Sequence, residues 1–153
     1  MENLLYNLLD VTQMPYTLSH PLEQAHAAYC EGKYGRAMNH LLDFFEVSVP
    51  FCSYIFFRLL QQEAATQSTI LPVLEQFVNR IDAKRPLSFG DWLNDLFTPL
   101  LSSAIKHLPN DPLSSSFSAT IYIKRRNVLL GSKSMPSIVQ IRNEYRGHST
   151  TLS

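Results

Sequence analysis

Cysteine is scarce in this chain, and its scarcity excludes a fold built on disulfide bonds. Cys30 and Cys52 are the only cysteines among 153 residues, and each lies within an apolar pattern of helical spacing. Isolated thiols in such patterns are typical of reduced intracellular proteins. We therefore expect two buried free thiols. We expect no cysteine nucleophile, because neither has the cationic neighbour that activates a thiol.

Long uninterrupted apolar runs are also missing. The first six residues carry an acid where a signal peptide has its cationic region. The apolar stretch of residues 47–60 is interrupted by a proline, two serines and an arginine. Since a membrane-spanning helix needs about 18 apolar residues, this stretch is expected to be a core helix. These features predict a cytoplasmic protein with no membrane partner.

Glycine is rare, and the glycine motifs of common enzyme classes are absent. The five glycines form neither a phosphate-binding loop nor a Gly-x-Ser-x-Gly elbow, which excludes P-loop nucleotide hydrolases and α/β-hydrolases. His20, Glu23 and His26 are close in sequence, but a metal would need further ligands from elsewhere. Ordinary structural roles are the favoured interpretation of both histidines, and we expect neither a metal nor a cofactor.

The composition that remains is that of one globular domain covering residues 1–153. Apolar residues make up 45% and charged residues 17%, and a chain of this length can bury its own core. Its net charge of zero is unevenly spread. Up to residue 120 there are seven cations and twelve acids, and from residue 121 six cations and one acid. This pattern indicates an anionic partner such as RNA, DNA or a nucleotide, or basic helix ends packed near an acidic body.

Apolar residues recur at helical spacing almost throughout, which predicts an all-α bundle of about five to seven helices. A lone strand at residues 118–123 is the alternative there, but it would have no pairing partner. Ser88 and Asp91 have the spacing of a capping box. The expected helices are residues 3–11, a helix from about Ser19 to Gly32, residues 34–65 with a kink or break near Val47 to Val49 caused by Pro50, 70–81, 88–108 with a kink at Pro99, 113–130, and 137–146 closed by Gly147.

Aromatic residues are concentrated on the longest predicted helix. Six of them exceed what one helix face can bury. A role in the core alone is the favoured interpretation, and a division between core and a subunit interface is the alternative. We expect a homodimer through this helix or through the last helix. The six residues are Phe44, Phe45, Phe51, Tyr54, Phe56 and Phe57.

The last predicted helix is the only one with a chemical interpretation. Its apolar residues, Ile138, Val139 and Ile141, are expected to face the core, and its polar residues, Arg142, Asn143 and Arg146, to face outward. In a continuous helix Arg142 and His148 would lie about 120° apart around the axis. A left-handed Gly147 is expected to fold the chain back and bring the imidazole beside a group that Arg142 also contacts.

An arginine, a polar residue and, after a short spacer, a histidine at the end of the last core helix resemble the signature of the HEPN superfamily. The segment from Ile138 to His148 and the apolar helices before it are similar to that family. The resemblance implies metal-independent RNA cleavage by two motif copies that meet across a homodimer. Arg142 would hold the scissile phosphate, Asn143 would orient the phosphate or the imidazole, and His148 would transfer a proton.

Further RNA contacts are expected from the basic side chains Lys124, Arg125, Arg126 and Arg146. Two features depart from the family pattern. Gly147 stands where many members have alanine or another helix former, and the sequence stops five residues after His148, where such bundles commonly continue. The chain is therefore expected to be the N-terminal part of a longer protein, with an antitoxin or a downstream domain as a further partner.

Two functions remain open at this point. One is a ribonuclease of the toxin–antitoxin or defence type, and the other is a catalytically silent HEPN-like module for dimerisation or ligand sensing. The motif also has a purely structural explanation. Gly147 can end a helix, and the flanking Arg146 and His148 can offset the helix dipole. Neither role requires catalysis.

Overall fold

The structure is a computed structural model that describes residues 14–83, 85–117 and 129–149. These residues form six α-helices, and no strand occurs among them, which confirms the all-α prediction for the described ranges. Within them the only β-type pairing is the isolated bridge between Ser132 and Met135. The helices are α1 (Tyr16–Cys30), α2 (Tyr34–Glu63), α3 (Leu71–Asp82), α4 (Thr98–His107), α5 (Pro112–Phe117) and α6 (Ile138–Ser149).

Several predicted segments fall outside this description. The expected helix at residues 3–11 and the choice between helix and strand at residues 118–123 lie outside the described residues. The helix expected at residues 113–130 is described only where it begins, as α5, and at residues 129–130. The side chains of Asp111 and Pro112 explain that beginning. The Asp111 carboxylate accepts hydrogen bonds from the backbone N–H groups of Leu113 and Ser114, both at 3.0 Å, and proline suits a first helical turn.

The described residues form two compact units, one ending at Val49 and the other beginning at Pro50. Helix α2 is continuous across this boundary, so the chain is not broken near residues 47–49, and the kink that was the other expected outcome stays a prediction. A proline inside a helix costs about 3 kcal/mol or more, but burial of apolar side chains on either side of it, Val49 before and Phe56 after, stabilises the helix. The boundary between the two units lies inside this continuous helix. The prediction of one domain therefore stays a prediction.

The first unit contains α1 and the first half of α2, and Gly32 ends α1 as predicted. Gly32 has φ +73°. Its N–H donates to the Tyr29 carbonyl at 3.0 Å, and the Lys33 N–H donates to the Ala28 carbonyl at 2.9 Å. This hydrogen-bond pattern is the Schellman motif, in which a left-handed residue satisfies the last carbonyls of a helix. Helix α1 begins three residues before the predicted Ser19, which places Pro21 in its second turn.

The second unit has its core between the second half of α2, α3 and the helical segment that ends in α4. The side chains of Phe56, Leu60, Ile70, Leu93 and Leu96 are almost fully buried. Helix α3 follows a short 3₁₀ turn, Ser68–Ile70, and agrees with the predicted helix to within one residue. The order of elements in this unit is therefore close to the one that apolar spacing predicts.

The Ser88 capping box forms as predicted. The Ser88 hydroxyl accepts a hydrogen bond from the Asp91 N–H at 3.1 Å, and the Asp91 carboxylate accepts from the Ser88 N–H at 2.9 Å. A π-helical stretch, Asp91–Phe97, follows and leads into α4. Proline at position 99 cannot donate to the Asp95 carbonyl. The side-chain amide of Gln76 donates to that carbonyl instead, at 3.2 Å.

Candidate functional site

Helix α6 begins in a tight loop that depends on one glycine. Gly131 has φ +80°, and a Cβ atom at this position would lie 2.8 Å from the Ser137 nitrogen. Six residues later, Ser137 caps α6. Its hydroxyl accepts from the Gln140 N–H at 3.2 Å, and the Gln140 side-chain oxygen accepts from the Ser137 N–H at 2.7 Å. This second capping box was not predicted, although the spacing of Ser137 and Gln140 is its sequence signal.

The first turn of α6 packs its apolar side chains within the second unit. Ile138 is buried, and Val139 and Ile141 are half-buried, as expected for the apolar side of this helix. A Cβ atom on Gly90 would lie 3.6 Å from Cγ1 of Val139, so α6 passes close to the helical segment that Ser88 caps. The motif residues follow this anchored turn.

The predicted end of the last helix is wrong. Helix α6 runs through Gly147 and His148 to Ser149, so Gly147 does not fold the chain back. Glycine inside a helix costs about 1 kcal/mol relative to alanine, but it does not end the helix by itself. Arg142 and His148 are six helical positions apart and therefore about 120° apart around the axis. One copy of the chain does not bring these two residues to the same face.

The polar end of the motif is accessible on α6. The Arg142 guanidinium donates a hydrogen bond to the Asn143 side-chain oxygen at 3.2 Å. Asn143 is exposed, and Arg142 and Arg146 are half-buried. A guanidinium carries five N–H groups in a planar fork, a geometry that matches phosphate oxygens. The other predicted RNA-binding residues, Lys124, Arg125 and Arg126, lie outside the described residues.

Three of the other four histidines have structural contacts, as the favoured interpretation predicted for His20 and His26. The His20 ring stacks on Tyr16 with centroids 5.0 Å apart. His26 Nε2 lies 3.6 Å from Sγ of Cys30, and His107 Nδ1 lies 2.7 Å from the Gln67 side-chain oxygen. Within the described ranges, no group of three or more histidine, cysteine, aspartate or glutamate side chains could hold a metal ion.

The expectation of two buried thiols is wrong for Cys30 and correct only in part for Cys52. Cys30 is exposed, because it is the last residue of α1, where the chain turns at the surface. Cys52 is half-buried on α2, and burial raises the pKa of its thiol to about 11. The apolar pattern around Cys30 therefore gave the wrong environment for that residue.

A charged network that sequence spacing did not indicate joins α3 to the π-helical stretch. Arg80 donates to Asp91 at 2.8 Å and also to Asp95, and Arg85 lies 3.6 Å from Asp91. Hydrogen bonds from Ser88 and the nearby Arg80 and Arg85 lower the pKa of Asp91. The hydrogen bond to Asp95 is the main cause that raises the pKa of Arg80. Asp91 and Asp95 are eleven and fifteen residues away from Arg80 in sequence. No local sequence motif therefore predicts these ion pairs.

An apolar groove on the second unit was also missed. It has a volume of about 260 Å³ and is lined by Phe57 of α2 and by Phe77, Val78, Ile81 and Asp82 of α3. The sequence shows that apolar residues recur on α3 at helical spacing. It does not show which of these residues stay exposed and line a groove.

Comparisons with known proteins add no evidence on the function of these residues. No protein-family model, curated protein or solved structure matches the chain. Among the described helices, α2 alone is long and apolar enough to cross a membrane, by length and composition, since it contains an 18-residue window with a mean hydropathy of 1.2. A core helix of a soluble protein meets the same criterion, and cytoplasmic localisation stays a prediction.

Proposed function

We propose that the chain is a HEPN-like domain that cleaves RNA as a homodimer without a metal ion or cofactor. The observation that carries this proposal is the placement of Arg142 and Asn143, hydrogen-bonded to each other on the accessible part of α6. The sequence resemblance supplies the reaction. Basic residues elsewhere in the C-terminal part, Lys124, Arg125, Arg126 and Arg146, would add contacts with the RNA backbone.

The reaction needs a phosphate clamp and a proton-transfer group. The ribose 2′-oxygen attacks the adjacent phosphorus and forms the new P–O bond, while the bond to the 5′-oxygen breaks. As a base, His148 takes the 2′-hydroxyl proton while water protonates the leaving 5′-oxygen; as an acid, it protonates the 5′-oxygen while water takes the 2′-hydroxyl proton, since imidazole titrates near neutrality. Arg142 offsets the charge that develops on the phosphate oxygens, and Asn143 orients the phosphate or the imidazole.

We infer that two copies of α6 share this chemistry. Because Arg142 and His148 lie on different faces of one helix, the proposed active centre takes Arg142 from one subunit and His148 from the other. Two such centres form in a symmetric dimer, since a two-fold axis repeats every contact. This arrangement agrees with the paired motif copies that the resemblance implies.

Subunit mixing tests the proposal directly. Arg142→Ala and His148→Ala should each reduce cleavage of single-stranded RNA by about a hundred-fold to ten-thousand-fold. Mixed dimers of the two variants contain one complete centre, so co-expression should restore up to half of the wild-type activity per dimer. Cleavage should persist in EDTA. Lys106→Ala, which removes one exposed cation of α4, is the matched control and should leave the rate unchanged.

Three results would contradict the nuclease proposal: a wild-type protein that cuts no RNA at any salt concentration, unchanged cleavage by His148→Ala, or activity that disappears in EDTA. Mixed dimers without activity would contradict only the shared centre. Circular dichroism of each variant separates loss of chemistry from loss of fold, because both residues could also act as helix-end contacts.

The second candidate function is a catalytically silent HEPN-like module for dimerisation or ligand sensing. One observation favours it, namely the separation of Arg142 and His148 around α6. Such a module would act in the cytoplasm within a longer signalling or defence protein, with an antitoxin or a downstream domain as its partner. Calorimetry with nucleotides and short RNAs tests it, since binding without cleavage is its expected result.

A further inference from the structure

The groove between the second half of α2 and α3 has aromatic walls and an acidic rim. Phe57 and Phe77 stack in its wall with ring centroids 4.7 Å apart. Val78 is 51% exposed and Ile81 36% exposed at its mouth. Water therefore contacts large apolar side chains at this groove. Concave apolar surface of this kind is the usual centre of a binding site for a partner side chain.

Two carboxylates flank the exposed valine on the same side of α3. Glu75, Val78 and Asp82 recur at spacings of three and four residues, which aligns them along one helix face. Both acids are exposed, and among the described residues no cation pairs with either of them. Arg80, the basic residue of the last turn of α3, instead contacts Asp91 and Asp95.

The position of Asp82 makes a cation there favourable. It is the last residue of α3, where the helix dipole presents partial negative charge and disfavours a carboxylate. A lysine or arginine placed beside Asp82 would offset both charges. The groove thus combines an apolar floor with a rim that prefers a cation.

We propose that this groove binds a cationic amphipathic helix of a partner protein, with one bulky apolar side chain between Phe57 and Val78 and Lys or Arg residues beside Glu75 and Asp82. An amphipathic helix repeats its side chains at the same three- and four-residue spacing as this face of α3, so apolar and charged contacts can form together. The groove volume of about 260 Å³ suits one or two side chains better than a whole small ligand. The site is independent of the proposed nuclease centre on α6.

Binding of defined peptides tests this proposal. The probe is a fluorescein-labelled helical peptide of leucine and lysine in an amphipathic pattern, and its matched probe has glutamate in place of lysine. Fluorescence anisotropy should show saturable binding of the lysine peptide alone. Val78→Asp and Asp82→Lys should each weaken this binding by about tenfold or more. Asn79→Lys, one residue from Val78 but turned away by about 100°, should change it less than twofold.

Loss of binding by these variants can be distinguished from loss of folding. Asp82→Lys places a cation at a helix C-terminus, which favours folding, so a loss of binding there cannot be ascribed to unfolding. Equal binding by the wild type and both groove variants would overturn the proposal, as would equal binding of the two peptides. Sedimentation gives the other arm. If the wild type is a dimer that Val78→Asp converts to a monomer, the groove is occupied by a second copy and the proposal is wrong.

Discussion

At the scale of single residues, the two cysteines show how position on a helix changes the chemistry of one side chain. Cys30 ends α1 and faces solvent, whereas Cys52 is half-buried on α2. Since the thiolate is the reactive form of cysteine, burial that raises the pKa of Cys52 to about 11 suppresses its reactivity near neutral pH.

We therefore predict two well-separated thiol reactions in the folded protein. At pH 8 only about one Cys52 side chain in a thousand is a thiolate, because its pKa of about 11 lies three units higher. Absorbance assays with an aromatic disulfide reagent should show one fast equivalent and one slow equivalent. Cys30→Ser should remove the fast phase, and Cys52→Ser the slow one. A single phase of two equivalents in the native protein would contradict the assignment.

Residues whose role depends on the next few positions were predictable from the sequence, and others were not. Gly32, Ser88 and Asp91 act through hydrogen bonds to residues within five positions, and a sequence displays such spacings. Gly147 has two local outcomes, a left-handed helix end or continuation of the helix, and within a helix glycine costs only about 1 kcal/mol relative to alanine. A cost this small leaves the outcome to surroundings that the sequence does not show.

At the scale of helices, the capping box that opens residues 88–97 predicts a specific dependence on pH. Hydrogen bonds from Ser88 lower the pKa of Asp91 below its usual value of 3.8. The folded state therefore holds this proton more weakly than the unfolded state. The stabilisation is complete above the unfolded pKa of about 3.9 and is lost as the pH falls through the lower folded value.

Urea unfolding between pH 5 and pH 2 measures this effect. The wild type should lose stability as the pH falls below about 4, and Asp91→Asn should show a flatter dependence because it has no carboxylate to protonate. Glu23→Gln removes one exposed carboxylate of α1 outside this cap and is the control. A variant Asp91→Asn with the same pH slope as the wild type would rule out the cap as the source.

The π-helical stretch shows why helix geometry was harder to predict than helix positions. Apolar spacing located residues 89–107 as helical, but it did not reveal the wider turn of Asp91–Phe97. This turn coincides with long-range contacts, in which Arg80 reaches Asp91 and Asp95 and the Gln76 side chain reaches the Asp95 carbonyl. Contacts between distant parts of a chain are not written in any short window of sequence.

At the scale of the whole molecule, the aromatic residues of α2 divide between buried and exposed positions. Phe56 is fully buried, whereas Phe51 is 38% and Tyr54 46% exposed. Exposed aromatic side chains on one helix are typical of subunit interfaces. The association itself is a prediction, and it is the step on which the shared active centre depends.

We predict a homodimer by sedimentation at concentrations of tens of micromolar, within the range of modest interfaces. Phe51→Arg should shift the protein toward a monomer, because it places an unpaired charge in the proposed interface. Arg58→Ala, which changes an exposed residue of the same helix, should leave the dimer intact. A wild type that stays monomeric at these concentrations would also exclude a two-subunit active centre.

Pro50 has a thermodynamic consequence for α2. Proline has no amide hydrogen, so the ladder of backbone hydrogen bonds is interrupted at the residue where the second compact unit begins. Cooperative opening passes along a helix through this ladder. The two halves of α2 are therefore free to open with different free energies, each set by the unit to which it belongs. A single unbroken helix can then contain two separate levels of protection against hydrogen exchange.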